Sequence, residues 1–141
     1  MEDKIIYCPC DAEWSNIVKV LQDYKDILKY KELIYTSDDF RIHDDLFDYC
    51  DIVITNPPFS LAREFYQMLK KHKCMFMFYG NNKFVYRNII VEDIIKHDVI
   101  YLDCRDLKVY NDKFLTPDGS IKLIHTYLYT NIKGLWFNKD F

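Results

Sequence analysis

Asn56, Pro57, Pro58 and Phe59 follow a short apolar run, Asp51-Ile52-Val53-Ile54-Thr55, and precede a segment of helical character, Leu61 to Lys71. Asn56 offers an acceptor oxygen and an amide donor pair. Pro57 offers a carbonyl without an N–H of its own, and proline stiffness holds the direction of both acceptors. Phe59 adds a flat apolar face. Two fixed acceptors beside a stacking face suit an exocyclic amino group on a planar conjugated ring. Such a nitrogen is a weak nucleophile because its lone pair is delocalised. Acceptors on its protons draw it toward tetrahedral geometry, so that it can attack an electrophilic methyl group held in line. That is positioning plus electrostatics and needs no strong base. The plain structural alternative is a strand-to-helix turn in which proline starts the helix.

The elements that would position this turn read as alternating strands and helices. Lys4 to Cys8 is the first strand, Pro9 to Glu13 a turn, and Ser15 a helix N-cap. Ile17, Val20, Leu21, Tyr24, Ile27 and Leu28 recur at helical spacing, which predicts one amphipathic helix of about four turns. Leu33 to Thr36 is a second strand, and Ser37 to Phe40 a polar loop. Asp44 to Tyr49 reads as a short helical turn, and Asp51 to Thr55 as a third strand whose unbroken apolar character predicts cover on both faces. Leu61, Phe65, Met68 and Leu69 form one apolar helix face, and Lys70, Lys71, His72 and Lys73 close that helix. Cys74 to Tyr79 is the most apolar run and reads as a central strand ended by Gly80-Asn81-Asn82. Phe84 to Lys96 reads as a helix and Val99 to Leu102 as a strand. Thr116-Pro117-Asp118-Gly119 is a strong turn signal between Phe114-Leu115 and a β-rich stretch, Lys122 to Thr130. Gly134 to Phe137 is an apolar tail. The order implies an α/β doubly wound domain with a partly antiparallel edge.

The chain's 141 residues suit a single domain, 1–141. Half of them are hydrophobic and 17% aromatic, which argues for a folded protein. With 3 glycines and 4 prolines, loops should be short, and a glycine-rich phosphate cradle is absent. A net charge of −3 and pI near 5.8 are not the overall signature of a nucleic-acid binder, so such a site would be a local patch. Cys8, Cys10, Cys50, Cys74 and Cys104 read as reduced, mostly buried thiols of a cytoplasmic protein. Cys8-Pro9-Cys10 is not the C-x-x-C of metal and redox sites, and His43, His72, His97 and His125 are scattered, so no metal is expected. No run approaches the roughly 20 apolar residues of a membrane span, and the chain enters its first strand without a visible targeting segment.

Several blocks together resemble a known family. Cys10-Asp11-x-x-Trp14-Ser15-Asn16, Asp39-Phe40-Arg41, the stretch from Asp51 to Glu64, Gly80-Asn81, Thr116 to Gly119 and Tyr129-Thr130-Asn131 occur in the order found in EcoRI-type adenine-specific DNA methyltransferases. The resemblance runs over nearly the whole chain and is densest around Asn56. It implies a Rossmann-like fold, here reduced with a β-rich C-terminal edge. It also implies S-adenosylmethionine as methyl donor and N6-methyladenine in DNA as product. By resemblance, Asn56 and the Pro57 carbonyl hold the adenine amino group, Pro58 stiffens the turn, and Phe59 stacks on the flipped base. Pro9, Cys10 and Asp11, with Ser15 and Asn16 at a helix start, would lie beside the methionine part of the cofactor. Asp39 and Phe40 would meet its adenine, and Thr36, Ser37 or Asp38 its ribose.

Plain readings stand beside these. Asp38-Asp39 reads equally as a solvated turn, Ser15-Asn16 as a helix cap only, Trp14 as a core or hinge aromatic, and Lys70 to Lys73 as a solvated helix end rather than a phosphate contact. The stretch before Lys4 is too short for the Phe-Tyr-Thr-type cofactor element of the family, and a separate recognition domain is not evident. Flipping a base costs a few kcal/mol. The chain is therefore expected to act as a homo-oligomer, with a partner protein that supplies recognition, or on single-stranded DNA. The rival readings are a non-catalytic methyltransferase-like binding or regulatory protein, and a methyltransferase acting on RNA or a protein side-chain amide.

Overall fold

The computed structural model describes residues 1–103, 113–115, 121–123 and 126–133. The elements, in order, are β1 (Ile5–Cys8), α1 (Asn16–Asp23), α2 (Lys25–Leu28), β2 (Glu32–Tyr35), α3 (Asp44–Tyr49), β3 (Ile52–Thr55), α4 (Ala62–Lys71), β4 (Met75–Asn81), α5 (Asn88–Ile95), β5 (Ile100–Asp103), β6 (Lys113–Leu115), β7 (Ile121–Leu123) and β8 (Thr126–Thr130). Six strands form one sheet in the order β2-β1-β3-β4-β8-β5, and β6 pairs with β7 in a separate antiparallel ribbon. β1, β2, β3 and β4 run parallel, and β8 is antiparallel to both of its neighbours. The α/β expectation with a partly antiparallel edge is thus realised, the antiparallel strand lying one place in from the edge. The predicted turn at Thr116–Gly119, the tail from Gly134 to Phe137, Cys104 and His125 fall outside the described residues.

The parallel strands are short and apolar because both faces are covered. All four residues of β1 and of β3 are buried. Alternate side chains supply two cores, as strand geometry requires. Ile6, Cys8, Ile52 and Ile54 pack on one face with Val18 and Leu21 of α1. Tyr7, Val53, Phe76 and Phe78 pack on the other, under α3, α4 and α5. That second core is largely aromatic. Phe78 meets Phe65 edge-on at 5.4 Å and lies parallel to Tyr129 at 5.2 Å. Each such pair contributes about 0.5–1.5 kcal/mol beyond area burial.

Three helical expectations need correction. The single helix from Ser15 to Leu28 is two helices that meet at Tyr24. Val20, Tyr24 and Ile27 are 52%, 52% and 73% exposed, whereas Val18, absent from the predicted stripe, is fully buried. Val18 and Leu21 are buried in the core on the sheet, Ile17 and Leu28 pack against it half-buried, and Val20, Tyr24 and Ile27 stay exposed. Helix α4 is preceded by a 3-10 turn at Phe59–Leu61, and the buried Tyr66, outside the expected stripe, joins its core face, against which Met68 packs half-buried. The helix expected from Phe84 to Lys96 is a 3-10 turn, Asn82–Tyr86, followed by α5, with extended backbone at Arg87 between them.

β4 also outruns its expected end. Gly80 and Asn81 pair with Tyr127 and Thr126, so the antiparallel partner extends the strand by two residues. Gly80 is required by close approach: a Cβ there would meet Tyr129 Cε2 at 3.0 Å. Tyr129 Oη donates to the Asn81 carbonyl at 2.7 Å. Asn131 closes the other end of β4, accepting from Phe76 N at 2.8 Å and donating to the Cys74 carbonyl at 2.9 Å. These contacts give Gly80-Asn81 and Tyr129-Thr130-Asn131 a shared structural reason.

Candidate active site

The chain leaves β1 for β2 on one side and returns to β3 on the other, so the crevice beyond the carboxyl ends of β1 and β3 is a topological switch point. Open α/β sheets bind ligands there. A cavity of about 910 Å³ occupies it. Its walls come from Cys10 and the first turns of α1, from Ser37 to Arg41 after β2, from Asn56 to Phe59 after β3, and from Met77, Tyr79 and Thr126 on β4 and β8.

The turn after β3 presents its groups outward. Thr55 is fully buried, Asn56 exposed, Pro57 buried again, and Phe59 37% exposed. Leu61 N donates to the Pro58 carbonyl at 3.0 Å, closing the 3-10 turn before α4. The Asn56 side chain makes no hydrogen bond with another described residue, which leaves its oxygen and both amide protons uncommitted among them.

The loop after β1 is held tightly. Cys10 N donates to Thr55 Oγ1 at 3.0 Å, and Asp11 N to the Thr36 carbonyl at 3.1 Å. Thr36 Oγ1 donates to the Pro9 carbonyl at 3.2 Å and meets Tyr7 Oη at 2.9 Å. Asp11 is buried and accepts from the Thr55 hydroxyl. Burial pushes the Asp11 carboxyl up. The Thr55 and Ser15 hydroxyls and the Asn56 backbone N–H face it and favour its charged form. Burial likewise pushes the Cys10 thiol up to about 12, so it stays protonated and is no nucleophile at neutral pH. Ser15 caps α1, accepting from Val18 N at 3.2 Å.

The sequence-derived residues therefore divide. Asn56, Pro57, Pro58, Phe59, Cys10, Asn16, Asp38, Asp39 and Phe40 line the cavity, as does Ser37. Pro9, Asp11, Ser15 and Thr36 do not line it; they tie its walls together from behind. Asp38 meets His43 Nε2 at 2.7 Å. Asp39 caps a 3-10 turn through Arg41 N at 2.9 Å and grips the Arg41 guanidinium at 2.8 Å. Those hydrogen bonds hold its carboxyl down at about 2. Phe40 is only 2% exposed and stands edge-on to Phe65 at 5.4 Å, so its ring is chiefly a core element. Trp14 is 75% exposed and is not a core aromatic. Lys70 and Lys71 are ion-paired with Asp93 and Asp44, at 3.0 and 3.1 Å.

Sequence reading assigned no role to Arg41, Tyr79 or Thr126, although all three line the cavity. Arg41 carried a signal, two residues from Asp39 on the same loop. Tyr79 and Thr126 carried none, since strand pairing alone brings β8 to the site. Thr126 Oγ1 is buried without a hydrogen-bond partner among the described residues. No described group of three or more His, Cys, Asp or Glu is placed to hold a metal, and no described helix is long and apolar enough to cross a membrane.

An α/β sheet with a polar, proline-stiffened, aromatic turn over its switch-point cavity is the arrangement in which open α/β folds place ligand sites. Sequence comparison then specifies the family. The chain belongs to the adenine-specific methyltransferase EcoRI family, which matches it over residues 36–139. It is 40% identical over 67 residues to the type II methyltransferase M.EcoRI of Escherichia coli. That match covers 45% of this chain and 20% of the relative, so the chain spans a minor part of the relative's length. Among solved structures, precorrin 8W decarboxylase from Methanobacterium thermoautotrophicum is 10% identical with a TM-score of 0.44, covering 93% of this chain and 83% of that one.

Proposed function

We propose that this chain is an S-adenosylmethionine-dependent methyltransferase of Rossmann-like fold that methylates the N6 amino group of adenine in DNA. The observation that carries the reading is the uncommitted Asn56 side chain, set between a buried Pro57 and a half-open Phe59 at the rim of the switch-point cavity. Family membership supports the reaction class.

The residues present fit the cofactor. The cavity has the volume of a small-molecule site. Ser37, Asp38 and Asp39 offer acceptors for ribose hydroxyls and a purine amino group, and Asn16 stands at the start of α1, where a carboxylate is favoured. When bound, the cofactor supplies an electrophilic methyl group. The chain's own task is to present the nucleophile. Asn56 Oδ1 and the Pro57 carbonyl accept from the adenine amino group, localise its lone pair and aim it. Phe59 stacks on the flipped base, and Pro57 and Pro58 keep both acceptors from swinging away. The proton lost from nitrogen passes to solvent. Asp39 already holds Arg41, so a purine amino group there must share or displace the guanidinium.

DNA as substrate has local electrostatic support despite the net charge of −3. Arg63, Lys83 and Arg87 are exposed and make no ion pair with a described residue. They lie on segments leaving the same edge of the sheet, beside Tyr86, which is 80% exposed. Cations interleaved with exposed rings suit a nucleic-acid strand.

The test pairs calorimetric titration of S-adenosylmethionine with methyl transfer to duplex DNA, single-stranded DNA, RNA and a protein substrate, for wild type and Asn56→Ala. The expected result is cofactor binding, transfer to adenine N6 in DNA, and loss of transfer in Asn56→Ala. Absence of binding at millimolar cofactor would make the chain a non-catalytic relative. Transfer confined to RNA or protein would overturn the substrate.

A further inference from the structure

Asp11 is a buried acid with no evident ligand. It is 4% exposed, does not line the cavity, and has no Lys, Arg or His among its described hydrogen-bond partners. A buried carboxylate without a cation is costly, and stability alone favours a neutral or apolar residue in its place. Its surroundings indicate what it is for. The Thr55 hydroxyl donates to Oδ2, and the Ser15 hydroxyl and the Asn56 backbone N–H face the same group. Thr55 Oγ1 in turn accepts from Cys10 N at 3.0 Å, and Asp11 N donates to the Thr36 carbonyl at 3.1 Å. Through its carboxylate and its backbone N–H together, Asp11 thus joins the ends of β1, β2 and β3 and the cap of α1, immediately behind Asn56.

We infer that Asp11 is the positioning residue of the site: by holding the Thr55 hydroxyl it ties the end of β3, with Asn56 next in the chain, to the loop after β1 and so sets the direction in which Asn56 and Pro57 present their oxygens, without itself touching a ligand. This rests on the methyltransferase reading for its kinetic consequence, and on geometry alone for the structural one. A carboxyl group brings two oxygens and room to accept from all three donors at once. An asparagine of the same shape offers a single oxygen and turns donors of its own toward Thr55 or Ser15. The grip of Asn56 would loosen while the fold persists. The groups facing Asp11 are the thiols of Cys8 and Cys10, the hydroxyls of Ser15 and Thr55, and the Asn56 N–H.

The experiment compares wild type, Asp11→Asn, Thr55→Val and Thr55→Ser in the full chain, with a kinetic arm and a backbone arm. Kinetically, Asp11→Asn and Thr55→Val should lower kcat about 10–100-fold, the cost of a small misplacement, while the cofactor Kd stays within about threefold. Thr55→Ser, which keeps the hydroxyl, should restore most of the rate lost in Thr55→Val. In the backbone arm, hydrogen exchange at the Asn56 amide should accelerate at least about tenfold in Asp11→Asn, without similar acceleration at Val53 in β3. Unchanged kcat in both Asp11→Asn and Thr55→Val overturns the inference. So does a cofactor Kd that weakens in proportion to kcat/KM, which would make Asp11 a ligand, or uniformly faster exchange, which would make it a general stabiliser. A wild type without transfer to any substrate overturns the functional reading instead, and the exchange arm then still decides whether Asp11 fixes Asn56.

Discussion

The two ends of the sheet treat polar groups in opposite ways. At the end where β3 and β4 begin, polar groups are satisfied by neighbours. His72 lies between Asp48, 2.5 Å from Nδ1, and Asp44, 2.8 Å from Nε2, and stacks on Phe47 at 5.8 Å. The thiols of Cys50 and Cys74 both point at the Phe47 carbonyl, at 3.5 and 3.6 Å. Asn131 satisfies backbone groups at the start of β4. At the end where the strands finish, neither the Asn56 side chain nor the buried Thr126 hydroxyl has a hydrogen-bond partner among the described residues. Buried and half-buried polar groups normally find partners. The orphaned Thr126 hydroxyl breaks that rule at the end where the exposed Asn56 amide faces the cavity, whereas the groups at the other end hold the fold.

The contrast predicts a separation of effects. The largest is Asn56→Ala, which should lower turnover by about 10²–10³, as removal of one positioned polar group does in other sites, with the melting temperature unchanged. A fall in Tm comparable to that of a core variant would break the contrast. Next, Lys83→Ala with Arg87→Ala should weaken DNA binding about tenfold and flatten its salt dependence, each lost phosphate contact removing close to one unit of slope. Filter binding over a salt series measures this, and an unchanged slope would place the DNA elsewhere.

At the opposite end, His72→Gln should lower Tm by about 3–6 °C and leave turnover intact. Burial lowers the imidazole pKa, but the hydrogen bonds to Asp48 and Asp44 outweigh it and leave the pKa raised above its ordinary 6.5. The charged imidazole is therefore favoured in the folded state. Its contribution is fully present below about 6.5 and is lost as pH rises through the higher folded value. The Tm difference between wild type and His72→Gln should accordingly be largest near pH 6 and shrink in alkali; growth in alkali would reverse the assignment. The smallest effect is Asp39→Asn, which should weaken cofactor binding about threefold by calorimetry without a shift in Tm, because the Asp39–Arg41 pair is exposed.

Legibility in the sequence followed the range of the interaction. The turn at Asn56 was readable because it is local: an apolar run, two prolines and a ring in consecutive positions. The strands were readable for the same reason, β1 and β3 being apolar throughout and β4 the most apolar run in the chain. The helical stripe from Ile17 to Leu28 was misleading. It carries no breaker, yet only Val18 and Leu21 are buried there while Val20, Tyr24 and Ile27 stay exposed, and what lies beneath a helix is not written in its period. Phe40 looked like a ligand-stacking ring beside two acids, and its burial against Phe65 depends on α4, more than 20 residues away.

Sequence alone therefore determined the turn on which the proposed grip rests, since Asn56, Pro57, Pro58 and Phe59 are set in consecutive order and held by proline stiffness. It also determined the alternation of strands and helices, since that is a local pattern. Tertiary structure decided what stands around the grip. It inserted β8 beside β4, extended β4 through Asn81 and brought Thr126 to the cavity. It turned Asp11 and Thr36 inward while leaving Asp38 and Asp39 facing the cavity. Those outcomes rest on hydrogen bonds and packing between residues 25 to 50 positions apart, such as Cys10 with Thr55 and Asn81 with Tyr129, and no local pattern encodes which of two polar neighbours will find its partner inside.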